Sequence, residues 1–173
     1  MPASLLRALD GVDLVLHCGD LDSIGVLDCL GELAPVRAVR SYDDPFEDGE
    51  RLVGSVRTVE LEGVRVGMIH DIQWPGPAIE LASDQRGLRF PGGMSLRELL
   101  VRKFGAPVDV VAFGDTHEEL ILRHEGVLFI NPGSPTFPGL RHGRDELGTL
   151  AVMEVLDRQV RVELVKLKGS RRA

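Results

Sequence analysis

Leu14-Val15-Leu16-His17-Cys18-Gly19-Asp20 carries an apolar run into a polar end, and three later stretches repeat the arrangement. They are Val39-Arg40-Ser41-Tyr42-Asp43-Asp44, Val66-Gly67-Met68-Ile69-His70-Asp71 and Val110-Val111-Ala112-Phe113-Gly114-Asp115-Thr116-His117. Short, nearly continuous apolar runs read as strands covered on both faces. In an open α/β sheet, ligands bind in the crevice beyond the carboxyl ends of the strands, so side chains placed just after such runs converge. Asp and His at those ends suggest a metal.

Outward from these runs, the pattern predicts a helix over 4–9, a strand over 12–16, a helix over 23–33 with Asp22 or Ser23 as its N-cap, and a strand over 36–39. Strand, helix, strand is a βαβ unit with a right-handed connection. Strands follow at 56–61 and 64–69 around Glu62-Gly63, a two-residue hairpin turn. Ser95 followed by Glu98 makes a capping box for a helix over 95–104 that carries Leu96, Leu99, Leu100 and Phe104 on one side. A strand is expected over 108–113, then hairpins of 119–123 with 127–130 and of 148–155 with 159–166. The order is βαβ early and hairpins late. It predicts an α/β protein with a mixed sheet, or two stacked sheets, and helices outside. Residues 1–166 form one expected domain, 167–173 a basic, fraying tail, and 71–94 an irregular insertion or lid beginning directly after His70.

With 43% hydrophobic residues in 173, the chain can build one core. Its net charge of −7 disfavours nucleic acid as a partner of a broad basic surface. No apolar run approaches the ~20 residues that cross a bilayer. The start, Met1-Pro2-Ala3-Ser4-Leu5-Leu6-Arg7, does not read as a secretory signal, so no membrane partner and a cytoplasmic location are expected. Cys18 and Cys29 are too few for a disulfide framework and read as small packed hydrophobes. His17 reads as packed inside its strand, and His124 and His142 as surface residues.

In order, the polar strand ends resemble the calcineurin-like metallophosphoesterase superfamily, in particular its small bacterial phosphodiesterase branch and the related metal-binding retromer subunit. Members of that family read D-x-H, G-D, G-N, H-G-H, G-H-x-H and N-P-G-S. Here Gly19-Asp20 matches the second block, His70 the first histidine of the fourth, Gly114-x-x-His117 part of the fifth and Asn131-Pro132-Gly133-Ser134 the last. The resemblance covers nearly the whole chain. It implies an α/β/β/α sandwich, two stacked mixed sheets flanked by helices, with the N-terminal strand missing.

It also implies a site. The bridging position between two metals falls on Asp20; the first metal takes a further ligand from the position of His117, and the second from those of Tyr42, His70 and Asp115. The sequence departs from the pattern at four places. The D-x-H strand is absent, Ser41-Tyr42 replaces G-N, His70-Asp71-Ile72 lacks the second histidine of H-G-H, and Asp115 replaces the first histidine of G-H-x-H. Two carboxylates and two imidazoles remain as expected metal ligands: Asp20, His70, Asp115 and His117. Asp20 and His70 are the expected catalytic residues, with Tyr42, Asp43 and Asn131 beside the substrate or behind the ligands.

The function implied is metal-dependent hydrolysis of a small phosphodiester or phosphomonoester at an incomplete two-metal site. Its cofactor is a divalent metal, manganese first with zinc or iron as alternatives, as one ion or none. The alternative is a catalytically inactive member that serves as a protein-binding scaffold, with a surface around Trp74 or Phe137. A homo-oligomer or a protein partner is compatible with either.

Overall fold

In the computed structural model of the chain, which describes residues 1–44, 47–84 and 86–170, the first apolar run becomes a strand only over Val15–His17 (β1). It is shorter than the expected 12–16 because Val12 belongs to the turn that ends the preceding helix, α1 (Ala3–Ala8), and bonds the Leu9 carbonyl. The next helix, α2 (Gly25–Gly31), is shorter than 23–33. Neither Asp22 nor Ser23 caps it; Ile24 occupies the N-cap with no side-chain hydrogen bond, and Asp22 is in the left-handed region at φ 42°. Its chain returns through β2 (Val36–Val39), parallel to β1 with Val15 opposite Val36, and β3 (Leu52–Val53) adds a third parallel strand. Leu27 and Leu30 of α2 seal one face of this sheet against Val15, Val36 and Ala38.

The second sheet contains β4 (Val56–Leu61), β5 (Val64–Ile69), β8 (Val110–Phe113), β9 (Leu120–His124) and β10 (Val127–Asn131). Its order is β4-β5-β8-β10-β9, with the three central strands parallel and both edges antiparallel. The edge hairpins turn at Glu62-Gly63 and Glu125-Gly126, all four residues at positive φ, as a two-residue turn of this hand requires. A last hairpin, β11 (Thr149–Leu156) and β12 (Gln159–Lys166), turns at Asp157-Arg158.

Met68, Val110, Leu128 and Ile130 meet Leu16, Val53, Ala151 and Met153 in one cluster that lies between the sheets. On the far side of the second sheet lies α3 (Leu96–Phe104), with the expected Ser95/Glu98 capping box. The result is an α/β/β/α arrangement of two stacked sheets with helices outside.

The stretch 71–94 is less irregular than its Pro and Gly content suggests. It forms a short hairpin of β6 (Glu80–Leu81) and β7 (Leu88–Arg89), and Ile72 and Ile79 are buried in the α3 cluster. The tail is anchored at its start: Leu167 is buried and Ser170 bridges Glu146, while residues 171–173 of the expected tail lie outside the described residues. Cys29 is exposed on α2, so only Cys18 fits the packed reading.

The helix also carries a buried charge. Lys103 lies one helical turn beyond Leu99 on the buried face, and its Nζ donates to the Pro75 carbonyl at 2.5 Å. Burial pushes its ammonium down to about 8, partly countered by the charge of Asp71. Between that value and the ordinary 10.5, the unfolded chain holds a proton that the folded chain has released, so stability rises with pH through this window. Relative to Lys103→Met, the wild-type free energy of urea unfolding should rise by about 2 kcal/mol from about pH 7.5 to 9.5. Parallel pH profiles for the two proteins would refute it.

Candidate functional site

The ends of β1 and β5, one from each sheet, meet at His70. His70, at the end of β5, is buried, and its Nδ1 lies 2.7 Å from the carbonyl oxygen of Cys18, just past β1. A carbonyl can only accept, so Nδ1 carries the proton and donates it. Nε2 is then left with its lone pair on the opposite side of the ring, the usual arrangement of a metal-binding histidine. This Nε2 faces Asp20 Oδ1 at 3.5 Å and Asp115 Oδ1 at 3.6 Å. Asp20 Oδ2 in turn accepts from His117 Nε2 at 2.9 Å, and the ring of Phe137 packs edge-on against His117 with centroids 5.6 Å apart.

The backbone at the site is unusual. Gly19, Asp20, Asp115, His117 and Gly133 all have positive φ. For non-glycine residues this conformation is uncommon and tolerated best by Asn, Asp and His, and it clusters at functional sites. Gly19, at φ 94°, also admits the histidine: a Cβ there would stand 2.5 Å from His70 Nδ1.

Two side chains hold these loops. Asp44 is buried, and its carboxylate accepts from the amides of Asp20 (2.9 Å), Leu21 (2.5 Å) and Ser41 (2.8 Å). Asn131 is fully buried at the end of β10; it donates to the Gly114 carbonyl and to Thr116 Oγ1 and accepts from the Gly133 amide. It fixes the loop bearing Asp115 and His117 from behind. Around that loop, Glu118 pairs with Arg141 and Glu119 with His142. His142, expected on the surface, is thereby buried; His124 stacks on Phe90 at 4.1 Å.

Tyr42 is 65% exposed at the rim, and its hydroxyl bonds Asp71. The desolvation it does suffer, with the charges of Asp71 and Asp115, raises the phenol above its ordinary value, so it stays neutral. Asp115 is raised as well, first by burial and then by Asp71. For Asp20, burial pushes upward, but the His117 hydrogen bond and the field of His70 outweigh it and the carboxyl falls below its usual value. Asp43 is exposed, and Ile72 is buried in the core under the site rather than at its mouth. Burial drives the Cys18 thiol to about 12, so it is no nucleophile.

The donor set suits a divalent metal in chemistry. Edges of about 3.4 Å separate ligands in a tetrahedral shell, and His70 stands near that distance from two carboxylate oxygens. His117 does not join it, because its Nε2 proton is committed to Asp20. Among the described residues, no group of three His, Cys, Asp or Glu side chains is closed up to hold a metal. The four expected ligands are therefore neighbours but not yet a coordination shell.

Residues 1–158 match the family described as the calcineurin-like phosphoesterase superfamily domain. A probable metallophosphoesterase of Methanothermobacter thermautotrophicus is 35% identical over 140 residues, covering 81% of this chain and 70% of the relative. Another, of Methanocaldococcus jannaschii, is 33% identical over 139 residues, covering 80% of this chain and 61% of the relative. Among solved structures, wild-type Vps29 complexed with zinc from Entamoeba histolytica superposes with a TM-score of 0.64 over 96% of this chain and 89% of that chain, at 21% identity. That likeness concerns the fold.

Because Asn131 makes three hydrogen bonds from a buried position, Asn131→Ala should destabilise the chain by about 2–3 kcal/mol in urea unfolding. A loss under 0.5 kcal/mol, roughly that of a surface substitution, would deny it the anchoring role.

Proposed function

Because this chain belongs to the calcineurin-like phosphoesterase superfamily, we propose that it is a metal-dependent phosphoesterase acting on a small phosphodiester or phosphomonoester through an incomplete two-metal site. The single observation that carries the reading is the orientation of His70: Nδ1–H anchored on Cys18, Nε2 presented to Asp20 and Asp115. His70, Asp20 and Asp115 would hold the metal, with His117 joining once its Nε2 proton leaves. A bound divalent ion there supplies positive charge to the phosphate and lowers the pKa of a bound water. Manganese, zinc and iron all suit imidazole and carboxylate donors, and manganese is the first choice.

The chain's own residues define the rest. The Asp44 carboxylate holds Asp20 in its left-handed backbone conformation. Asn131 sets the loop of Asp115 and His117. Tyr42 stands at the rim as a neutral hydroxyl able to donate to a phosphate oxygen, where the family pattern has asparagine. Phe137, 66% exposed and packed on His117, offers an apolar surface to the group esterified to the phosphate. The scaffold alternative rests only on the exposure of Trp74 and Phe137, and Phe137 already belongs to the site. No helix of the described residues is long and apolar enough to cross a membrane. The cytoplasm is the compartment we assign, since an exposed thiol such as Cys29 suits a reducing environment.

The test is hydrolysis of bis-p-nitrophenyl phosphate and p-nitrophenyl phosphate with manganese, zinc or iron(II), together with metal analysis of the purified protein. Metal-dependent turnover is expected, abolished by chelation and reduced about 100-fold or more in His70→Ala and Asp20→Ala. No metal-dependent turnover of either ester would sink the enzymatic reading. Unchanged metal content in the His70→Ala, His117→Ala double variant would reject the site.

A further inference from the structure

Among the described residues, the exposed aromatic side chains are Tyr42, Trp74 and Phe137, and all three belong to loops around the site. The chain has one Trp and one Tyr, so this placement uses both. Trp74 closes a tight turn that begins directly after His70. Its amide donates to the Asp71 carbonyl at 3.2 Å, which keeps the two Cα atoms within ~7 Å of each other. The Asp71 carboxylate accepts from the Gln73 amide at 2.8 Å and from the Tyr42 hydroxyl, joining the rim to the same turn. Phe137 stands in the loop after β10 and packs on His117. In the sheet β5 and β10 flank β8, so the loops of Trp74 and Phe137 leave strands on either side of the one that leads to Asp115 and His117.

Trp74 is exposed, yet its backbone is fixed from both sides. Ile72 before it is fully buried in the α3 cluster, and the Pro75 carbonyl after it accepts from buried Lys103 of α3 at 2.5 Å. A buried ammonium is costly unless its hydrogen bonds are made, and this one holds a loop whose largest side chain remains in water. An indole that is 59% exposed on so fixed a backbone is a preformed apolar face, which loses little entropy when a ligand covers it. We propose that Trp74 is the platform for a flat ring carried by the substrate, so that the group esterified to the phosphate is aromatic, either a nucleobase on its sugar or a simple aryl group. This rests on the phosphoesterase reading, which places the phosphate at His70, Asp20 and Asp115; the indole is carried by the same segment as His70, and Phe137 faces the site from the other flank. Stacking on an aromatic side chain adds affinity for any ring, because every ring has a π face. Electrostatics limits the remainder of the substrate. Asp43 is exposed beside Tyr42 and Asp71 is bonded to it, so the mouth repels a chain of several phosphates. One phosphate with a neutral ring beyond it suits these residues.

The sole tryptophan makes the test spectroscopic. With manganese present, Trp74 fluorescence is titrated with adenosine monophosphate, phenyl phosphate and ribose phosphate, which carry a nucleobase, an aryl ring and no aromatic ring. Saturable quenching by a ring-bearing phosphate is expected, with affinity about 10-fold or more above that of ribose phosphate. The tighter of the two ring-bearing ligands identifies the ring as nucleobase or aryl. Equal responses to all three would overturn the proposal. Equilibrium dialysis with the tighter ligand gives a second reading: affinity should fall about 10-fold in Trp74→Ala and return in Trp74→Phe, which keeps a ring at that position. Undiminished binding by Trp74→Ala would also overturn it. Quenching without hydrolysis of any ester would uphold the platform and count against the enzymatic reading alone. Hydrolysis of bis-p-nitrophenyl phosphate without quenching by either ring-bearing phosphate would do the reverse.

Discussion

The hydrogen bond from His70 to the Cys18 carbonyl ties the two sheets together at the end where the chemistry lies. Taken singly, such a bond contributes only about 1 kcal/mol net. Its consequence is geometric. The ring must pass over Gly19 at a distance that admits no Cβ, and the His70 carbonyl accepts from the Gly114 amide at 2.9 Å. One residue thus links the ends of β1, β5 and β8. Fixing Nδ1 also fixes which nitrogen remains for a ligand, so the stacking of the sheets and the orientation of the site are set by the same contact.

Much of this architecture was legible in the chain. The hairpins could be read because Glu62-Gly63 and Glu125-Gly126 announce a left-handed turn locally, and α3 because its capping box and apolar face lie within ten residues. Elements whose limits depend on partners outside their own segment are less legible. Val12 lost its place in β1 to the turn after α1, and α2 starts without either expected cap. Lys103 is buried against the expectation of its residue type, because its position one turn past Leu99 places it on the buried face. His142 reads as a loop histidine until Glu119, across the fold, provides its partner.

For the site, the order of the polar strand ends identified which residues gather, but not how they meet. Asp20, His70, Asp115 and His117 are neighbours as expected, yet His117 donates to Asp20 rather than presenting a lone pair. A motif fixes the residue types, whereas tautomers and hydrogen-bond directions depend on atoms contributed by other strands. Asp44 illustrates the limit. By residue type it is one more carboxylate beside Tyr42; in the fold its two oxygens accept from three backbone amides, two of them more than twenty residues away. Its role is to hold Asp20, and it cannot move to a ligand position without freeing those amides.

The two halves of the site are not equally supported. His70 and Asp115 follow β5 and β8, each paired on both sides within a five-stranded sheet. Asp20 follows β1, a three-residue strand that, among the described residues, pairs with β2 alone. A carboxylate at the end of so short an edge strand would wander by more than the precision that ligand or substrate binding needs. The Asp44 amide cluster and the His117 hydrogen bond compensate by holding Asp20 through its backbone and its carboxylate together. The side of the site that follows the shortest strand is thereby held by its own loop bonds, because a side chain so placed keeps its position only if its backbone and its carboxylate are both fixed.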